Sequence, residues 1–577
     1  MSFWHFSTIF ERVFENIPVP LQAEFKKYNK MQPRHYLDFL QENMRAHWET
    51  PIMTNFGDAH SYTYHSLSTS IDRLHAQFKA LGIKPGEKIA LAGRNCANWG
   101  MAFFAITTYH AVVVSILPDF TGEDIEKLVE HSQAKLLLVG PVVKTKINPE
   151  HMTGLLGIVH MDTLEMYYAR EKKTLEAYIK AASDYDSGHP EGAKLAELNY
   201  PVDNFDELAI INYTSGSTGS PKGVMLTNLS LSSNVEFAIH HIPHRHGDRV
   251  LSMLPIAHMF GLTFEFLYQV CDGTHVFFLT QAPTPSILMR AFAEVKPYMI
   301  LTVPLVIEKI IRKSILPVIK KPHMRILWHT PGIRHLIRRL VNNKLMAAFG
   351  GELRHLIIGG AALNEEVEIC LKEMGAPYCV GYGMTECGPL LAYSPWKEYV
   401  PRSCGKGIEY NECKIESSDP EHEAGELQVR GTCVMQGYYR NEEATKAAFT
   451  ADGWMRTGDL GVIDKKGNIF LRGRSKNMIL GASGQNIYPE ELEDKLNSMR
   501  GVGESVVLER EGKLVALVYP SDDIVNLPVD EKKAVLQTAL AEVNTVLPNY
   551  SKLTDFELRT EPFAKTPKQS IKRYLYK

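Results

Sequence analysis

Short, nearly continuous apolar runs recur along the chain, separated by longer stretches whose apolar positions fall at helical spacing. The runs KIALAGR from Lys88, KLLLVG from Lys135, LAIINYT from Leu208, RVLSMLP from Arg249, THVFFL from Thr274 and HLIIGG from His355 are each flanked by helical or turn signals. Such alternation predicts layered α/β structure on mainly parallel sheets. The most apolar long stretch, Met101 to Leu117, is interrupted by Thr-Thr-Tyr-His and is too short for a membrane span. It reads as a buried helix followed by a buried strand. After about Gly405 glycine-punctuated strands take over, in ECKIE, GELQVRG, GWMRTGDLGVID and GNIFLRGR, and predict a small antiparallel barrel-like unit. The C-terminal stretch reads helix, strand, strand, helix, strand, an α+β unit of its own.

Composition narrows the class. At about 150 residues per domain the 577 residues make roughly four domain-sized units. Hydrophobic residues at 45% and charged residues at 22% are globular values, which removes collagen-like, disordered and coiled-coil readings. The 63 basic and 66 acidic residues nearly cancel, so no nucleic-acid partner is expected. Eight cysteines without CxxC pairing or zinc-site spacing predict reduced thiols and a cytoplasmic setting. The first residues lack a basic stretch followed by an apolar core, unlike a secretory signal. No feature sets an oligomeric state.

One segment stands apart from this balance. From Glu308 to Lys344 ten lysines and arginines face the single acid Glu308, interleaved with Ile, Leu and Trp328. Two readings stand side by side: a solvated helix face whose balancing acids lie elsewhere, or a surface for anionic lipid or a phosphorylated ligand. The second would make the protein peripheral at the inner membrane surface.

The chemistry concentrates in one loop. Between the strand-like LAIINY and a helix-like TNLSLSSNVEFAI lie Thr214, Ser215, Gly216, Ser217, Thr218, Gly219, Ser220, Pro221, Lys222 and Gly223. Glycines let backbone N–H groups turn inward, hydroxyls add donors and lysine adds charge, a set suited to polyphosphate. The GxxxxGK[ST] spacing of a P-loop is not met. A plain Ser/Gly linker would need neither the Pro-Lys-Gly ending nor a buried strand before it.

YTSGSTGSPKGV, Tyr213 to Val224, resembles the signature loop of the adenylate-forming superfamily, and further motifs of that family follow in its order. LPIAHMFG is similar to the motif whose histidine, here His258, lies by the acyl pocket. A lone histidine among apolar residues is more often packed than a base, so shaping of the pocket is expected of it. GGAAL, with Gly359, Gly360 and Ala361, resembles the nucleotide-side turn. GYGMTE resembles the motif whose tyrosine stacks on adenine and whose Thr-Glu pair faces the phosphates, implying roles for Gly381, Tyr382, Gly383, Thr385 and Glu386. In GWMRTGDLG the resemblance assigns the ribose hydroxyls to Asp459. In LRGRSKNMIL it assigns ribose or phosphate to Arg474 and a hinge to Lys476. GASGQNIYPEELE, containing Gly484 beside the coenzyme A tunnel, and VPLVIEKI look like long-chain fatty acyl-CoA synthetases.

The resemblance implies two half-reactions. A fatty carboxylate attacks the α-phosphorus of ATP to give acyl-AMP and pyrophosphate, and the thiol of coenzyme A then expels AMP. Thr214 and Glu386 would hold Mg2+, with Lys222, Glu386 and Lys476 as the catalytic set. The fold implied is α/β: residues 1–474 form an AMP-binding domain of two layered α/β subdomains with a β-barrel subdomain at about 405–474, and residues 475–577 form a small mobile α+β lid. The chain departs from the family at its end. In AKTPKQSIKR, Ser570 stands where relatives place a catalytic lysine, with Lys568 and Lys572 each two residues away. The leading expectation is thus a long-chain fatty acyl-CoA ligase. The alternatives are transfer of the acyl group to an acyl carrier protein, or a catalytically weak nucleotide-binding relative.

Overall fold

Strands buried on both faces must be apolar throughout, and this is why the short runs read as they do. The computed structural model describes residues 32–214, 221–480, 485–510, 512–565 and 571–576. All six runs are strands: Lys88–Ala92, Leu136–Val139, Leu208–Thr214, Arg249–Ser252, His275–Phe278 and His355–Ile358. The Met101 to Leu117 stretch is divided between the helix Ala97–Thr108 and the strand Val112–Ile116, both buried along nearly their whole length.

Two large sheets result. In one, Tyr378–Val380, His355–Ile358, Met299–Thr302, Arg249–Ser252, His275–Phe278 and Pro51–Asn55 run parallel, with Ser61–Thr63 antiparallel at the edge. In the other, Leu208–Thr214, Val112–Ile116, Lys88–Ala92, Leu136–Val139 and Gly157–His160 run parallel, flanked by antiparallel strands. One hydrophobic cluster joins the two sheets through Trp99, Phe103, Phe104 and Phe266.

The glycine-rich region forms a four-stranded antiparallel sheet, in the order Asn411–Glu416, Gly425–Gly431, Met455–Ile463, Ile469–Arg474. Its outer strands are not paired with each other, so the expected barrel is an open sheet among the described residues. The order beyond it is that read from the sequence: helix Pro489–Leu496, strands Val502–Arg510 and Lys513–Pro520, helix Val529–Val546, strand Asp555–Leu558. Two further hydrophobic clusters draw only on residues from Ile479 onward. The eight cysteines are all free.

Candidate active site

The strands Leu208–Thr214 and Lys222–Thr227 form a hairpin whose last pair sets Thr214 opposite Lys222. Ser215, Gly216, Ser217, Thr218 and Gly219, between them, lie outside the described residues. The Lys222 ammonium sits 4.9 Å from the ring centroid of Tyr438, within cation–π range. The Tyr438 hydroxyl donates to Glu386 Oε1 at 2.9 Å. Burial, then the Glu386 charge, raises the Tyr438 hydroxyl pKa, so it remains a donor. One tyrosine thus joins the expected phosphate-side lysine to the expected metal-side glutamate. It lies in GYYRNEEAT, which reads as a turn before a helix N-cap; Asn441 indeed caps Glu442–Ala448. Nothing local marks Tyr438 as a site residue.

Glu386 lies in the short turn Thr385–Cys387. Thr385 is buried, and its hydroxyl has no hydrogen-bond partner among the described residues. An orphaned buried hydroxyl is costly unless a ligand completes it. Gly383 is needed for close approach: a Cβ there would come within 2.2 Å of the Pro389 carbonyl oxygen.

A second cluster forms across the antiparallel sheet, where register sets Asp459 opposite Arg474. Arg474 Nε lies 2.7 Å from Asp459 Oδ1, and the Tyr382 hydroxyl donates to Oδ2 at 2.5 Å. Burial raises the Asp459 pKa, opposed by Arg474 and by the tyrosine's hydrogen bond. Burial also works against charge on Arg474, but Asp459 and neighbouring acids more than offset it, so the net shift is upward. Glu490, from the C-terminal helix Pro489–Leu496, adds a carboxylate whose field reaches both groups.

The glycine-rich turns and the His258 loop, by contrast, follow the carboxyl ends of parallel strands, where open α/β sheets carry their ligand crevices. Gly359 to Ala361 follow His355–Ile358, Gly381 follows Tyr378–Val380, and the His258 loop follows Arg249–Ser252. Gly359 packs on Phe260, whose ring would lie 2.9 Å from an added Cβ, so GGAAL and LPIAHMFG pack against each other. Gly360 has φ +89° and lies against Val303.

The His258 loop is held from the other sheet. Asn95 donates to the Leu254 carbonyl at 2.6 Å and accepts from Ile256 N–H at 2.9 Å. Asn212 and Ser115 donate to the Ala257 carbonyl at 2.8 and 2.9 Å. The fully buried Glu265 accepts the N–H groups of Met253 and Leu254. His258 itself caps a helical turn, Nδ1 accepting from Phe260 N–H at 3.2 Å.

With this geometry in hand, the comparisons decide the family. Residues 40–439 match the family model described as AMP-binding enzyme. The chain belongs to that family. A long-chain-fatty-acid–CoA ligase of Mycobacterium bovis is 30% identical over 455 residues, 74% of this chain and 72% of that protein. A long-chain-fatty-acid–CoA ligase of Escherichia coli is 26% identical over 510 residues, covering 84% of each. An anthranilate CoA ligase solved with anthranoyl-AMP superposes at TM-score 0.73 with 19% identity, over 94% of this chain and 96% of that one. O-succinylbenzoate coenzyme A synthetase of Bacillus subtilis, solved with ATP and magnesium, does so at 0.71 with 21% identity, over 94% and 99%. At such identities the solved structures establish the fold.

The AMP-binding enzyme described here is in class an AMP-forming CoA ligase, and ATP, Mg2+ and coenzyme A go with that class. The residues present fit a magnesium nucleotide. Magnesium on a triphosphate takes most ligands from phosphate and water and needs one or two carboxylates; Glu386 offers one, beside the Thr385 hydroxyl that has no hydrogen-bond partner among the described residues.

In this AMP-binding enzyme Lys476 lies in the turn Ser475–Asn477, immediately after Arg474. Beyond it, the C-terminal part is tied to the rest. Asp494 accepts from Arg402 at 2.9 Å and from Asn364 at 3.0 Å, and Asn364 also donates to Ser498 at 2.7 Å. Gly484, Lys568 and Ser570 lie outside the described residues. Lys565 and Ile571 pair across that last gap. Arg573 is fixed on Glu493 at 2.5 Å, whereas Lys572 forms no ion pair among the described residues.

Proposed function

We propose that the chain activates a long-chain fatty acid to acyl-AMP and transfers the acyl group to coenzyme A. The carrying observation is that Lys222, Tyr438 and Glu386 form one cluster and Tyr382, Asp459 and Arg474 another, and that the Glu386 charge reaches both Asp459 and Arg474. Adenylation joins two anions, so it requires charge neutralisation and positioning more than a base. In this reading Lys222, Thr214 and the loop to Gly219 neutralise the β and γ phosphates. Glu386 and Thr214 hold Mg2+, Gly359 to Ala361 and Tyr382 to Thr385 frame the nucleotide, and Asp459 with Arg474 takes the ribose. His258 and Gly381 shape the acid side, and Gly484 borders the thiol's path.

Long-chain acids are favoured by the names of the relatives at 26 to 30% identity and by the NIYPEE and VPLVIEK segments. Coenzyme A is the acceptor in those names. We place the domain boundary after Arg474, supported by the separate hydrophobic clusters beyond it, with the β-rich part at 405–474 and a lid at 475–577 that pivots at Lys476. Lid motion would open the second half-reaction. Peripheral membrane contact belongs to the same reading.

A panel of acids assayed for ATP–pyrophosphate exchange, and for ester formation with coenzyme A and with acyl carrier protein, tests the proposal. Exchange and coenzyme A ester greatest for long acids are expected; carrier protein preferred over coenzyme A would overturn the acceptor. The second reading, a weak enzyme, rests on Ser570 alone, and absence of exchange with intact ATP binding would establish it.

A further inference from the structure

Nine of the ten cations from Lys309 to Lys344 divide into two groups; the tenth, Lys309, is exposed and its charge reaches Asp522. Four are committed to the fold: Arg312 donates to the Asn497 carbonyl at 2.9 Å, Lys313 pairs with Asp522 at 2.9 Å, Lys320 with Glu366 at 2.7 Å and Arg338 with Glu373 at 2.9 Å. To that extent the balancing acids do lie elsewhere in the chain. Lys321, Arg325, Arg334, Arg339 and Lys344 are exposed and form no ion pair among the described residues.

Those five share the surface with apolar side chains that the fold does not use. Seven of the nineteen exposed large apolar side chains among the described residues lie between Leu305 and Leu340, a concentration far above an even spread. Ile326, on the helix Pro322–His329, is 67% exposed, the highest value in that set. The helix Arg334–Ala348 turns Leu345 into the core, with Ile337 and Val341 packed against the same cluster. At 3.6 residues per turn, Leu336 and Leu340 lie roughly 100–140° round the helix from that inward side, 60% and 50% exposed, with Ile333 in line just before the helix at 45%. Arg339 and Lys344 flank that outward stripe on its two sides. The helix therefore carries one broad apolar arc, of which only the part at Ile337, Val341 and Leu345 is covered.

A stripe of Leu and Ile edged by long basic side chains is the arrangement of a helix lying in a membrane interface, with apolar groups at the acyl boundary and cations at headgroup phosphates. A soluble phosphorylated ligand would have no use for Ile326 or Leu336. A second copy of the chain would set like charges against each other across a twofold axis. No helix among the described residues is long and apolar enough to cross a membrane, so surface contact is the available mode.

We propose that residues 321–344 form a docking face for anionic lipid, with Ile326, Ile333, Leu336 and Leu340 entering the interface and Lys321, Arg325, Arg334, Arg339 and Lys344 meeting lipid phosphate. This does not depend on the acid's chain length. The test is co-sedimentation of the full chain with phosphatidylcholine vesicles and with vesicles containing phosphatidylglycerol. The expected result is binding to the anionic vesicles that weakens at high salt. Arg339→Gln and Lys344→Gln should each weaken it roughly fivefold. Leu336→Asp with Leu340→Asp should abolish it at unchanged thermal stability, since both side chains already face solvent. Ile179→Asp, at a comparably exposed apolar position (58%) elsewhere, should leave it intact. Equal binding to neutral vesicles, wild-type binding by the leucine variant, or loss of self-association instead of lipid binding would each overturn the proposal. Acyl-CoA formation from detergent-dispersed acid, run in parallel, should be unchanged by these variants. Its absence from the wild type would count against the proposed activity and not against the docking face.

Discussion

The Tyr382 hydroxyl and Arg474 Nε occupy the two carboxylate oxygens of Asp459, at 2.5 and 2.7 Å. A carboxylate so engaged is prepositioned and buried, yet each oxygen keeps a second lone pair, which in the proposed reading accepts from a ribose hydroxyl. Asp459→Asn keeps the shape but removes the charge, and charge-assisted hydrogen bonds contribute about 1.5–3 kcal/mol each. Calorimetric affinity for AMP should fall roughly tenfold to a hundredfold. Tyr382→Phe retains a ring for adenine and frees one oxygen, so its AMP affinity should stay within roughly threefold of wild type, at a stability cost of about 1 kcal/mol. A larger loss of affinity in Tyr382→Phe than in Asp459→Asn would contradict these roles.

Tyr438 offers a second test, because it touches both Glu386 and the Lys222 ammonium. Tyr438→Phe keeps the ring under Lys222 and deletes only the hydrogen bond to Glu386. Pyrophosphate exchange should fall about tenfold, with a matching change in the magnesium dependence of ATP binding. Glu386→Gln should cost on the order of 10²-fold or more in exchange, comparable with deleting an electrostatic stabiliser elsewhere. If both variants exchange at wild-type rates, this cluster is not the phosphate side.

The connection at Lys476 and the contacts of Asp494 should act on the two half-reactions unequally. Lys476→Pro is expected to spare pyrophosphate exchange and depress coenzyme A ester formation. Arg402→Met, which removes one of the groups holding Asp494, should change the ratio of the two rates without changing AMP affinity. Stopped assays of each half-reaction measure both, and equal losses would remove the hinge assignment.

Acid stability follows from buried histidines. Burial lowers His35, His75, His275 and His355 to about 4, against an ordinary 6.5. Between those values the unfolded chain takes up protons that the folded chain refuses, so these groups make stability fall as pH drops from about 6.5 to 4. Buried carboxyls such as Glu493, raised to about 7 first by burial, act in the opposite sense. A single replacement isolates one contribution: His275→Gln should give a shallower rise of unfolding free energy with pH between about 4 and 6.5 than wild type. Urea unfolding across that range measures the two slopes, and identical slopes would refute the assignment.

Much of the fold was legible because buried parallel strands and glycine-rich turns leave local signatures. The six apolar runs became strands, and strand register sets Asp459 opposite Arg474. What was not legible depends on partner choice. Alternation announces strands but not whether Asn411–Glu416 closes onto Ile469–Arg474, and these stay apart. The Tyr438 to Glu386 contact joins residues 52 positions apart through strand register and backbone contacts such as Met435 N–H to the Glu386 carbonyl. No spacing rule reports that. The division of the basic segment into committed and free cations likewise needs the acids Glu366, Glu373 and Asp522 in place.

By the resemblance, Ser570 stands where relatives carry a catalytic lysine. If Lys572 supplies the missing charge, Lys572→Ala should abolish exchange; if neither neighbour does, Ser570→Lys should raise it. The most direct measurement is fatty-acid-dependent ATP–pyrophosphate exchange by the wild-type chain. Exchange that requires a long-chain acid and magnesium is the predicted result. No exchange from a folded protein that still binds ATP would contradict the proposed ligase activity.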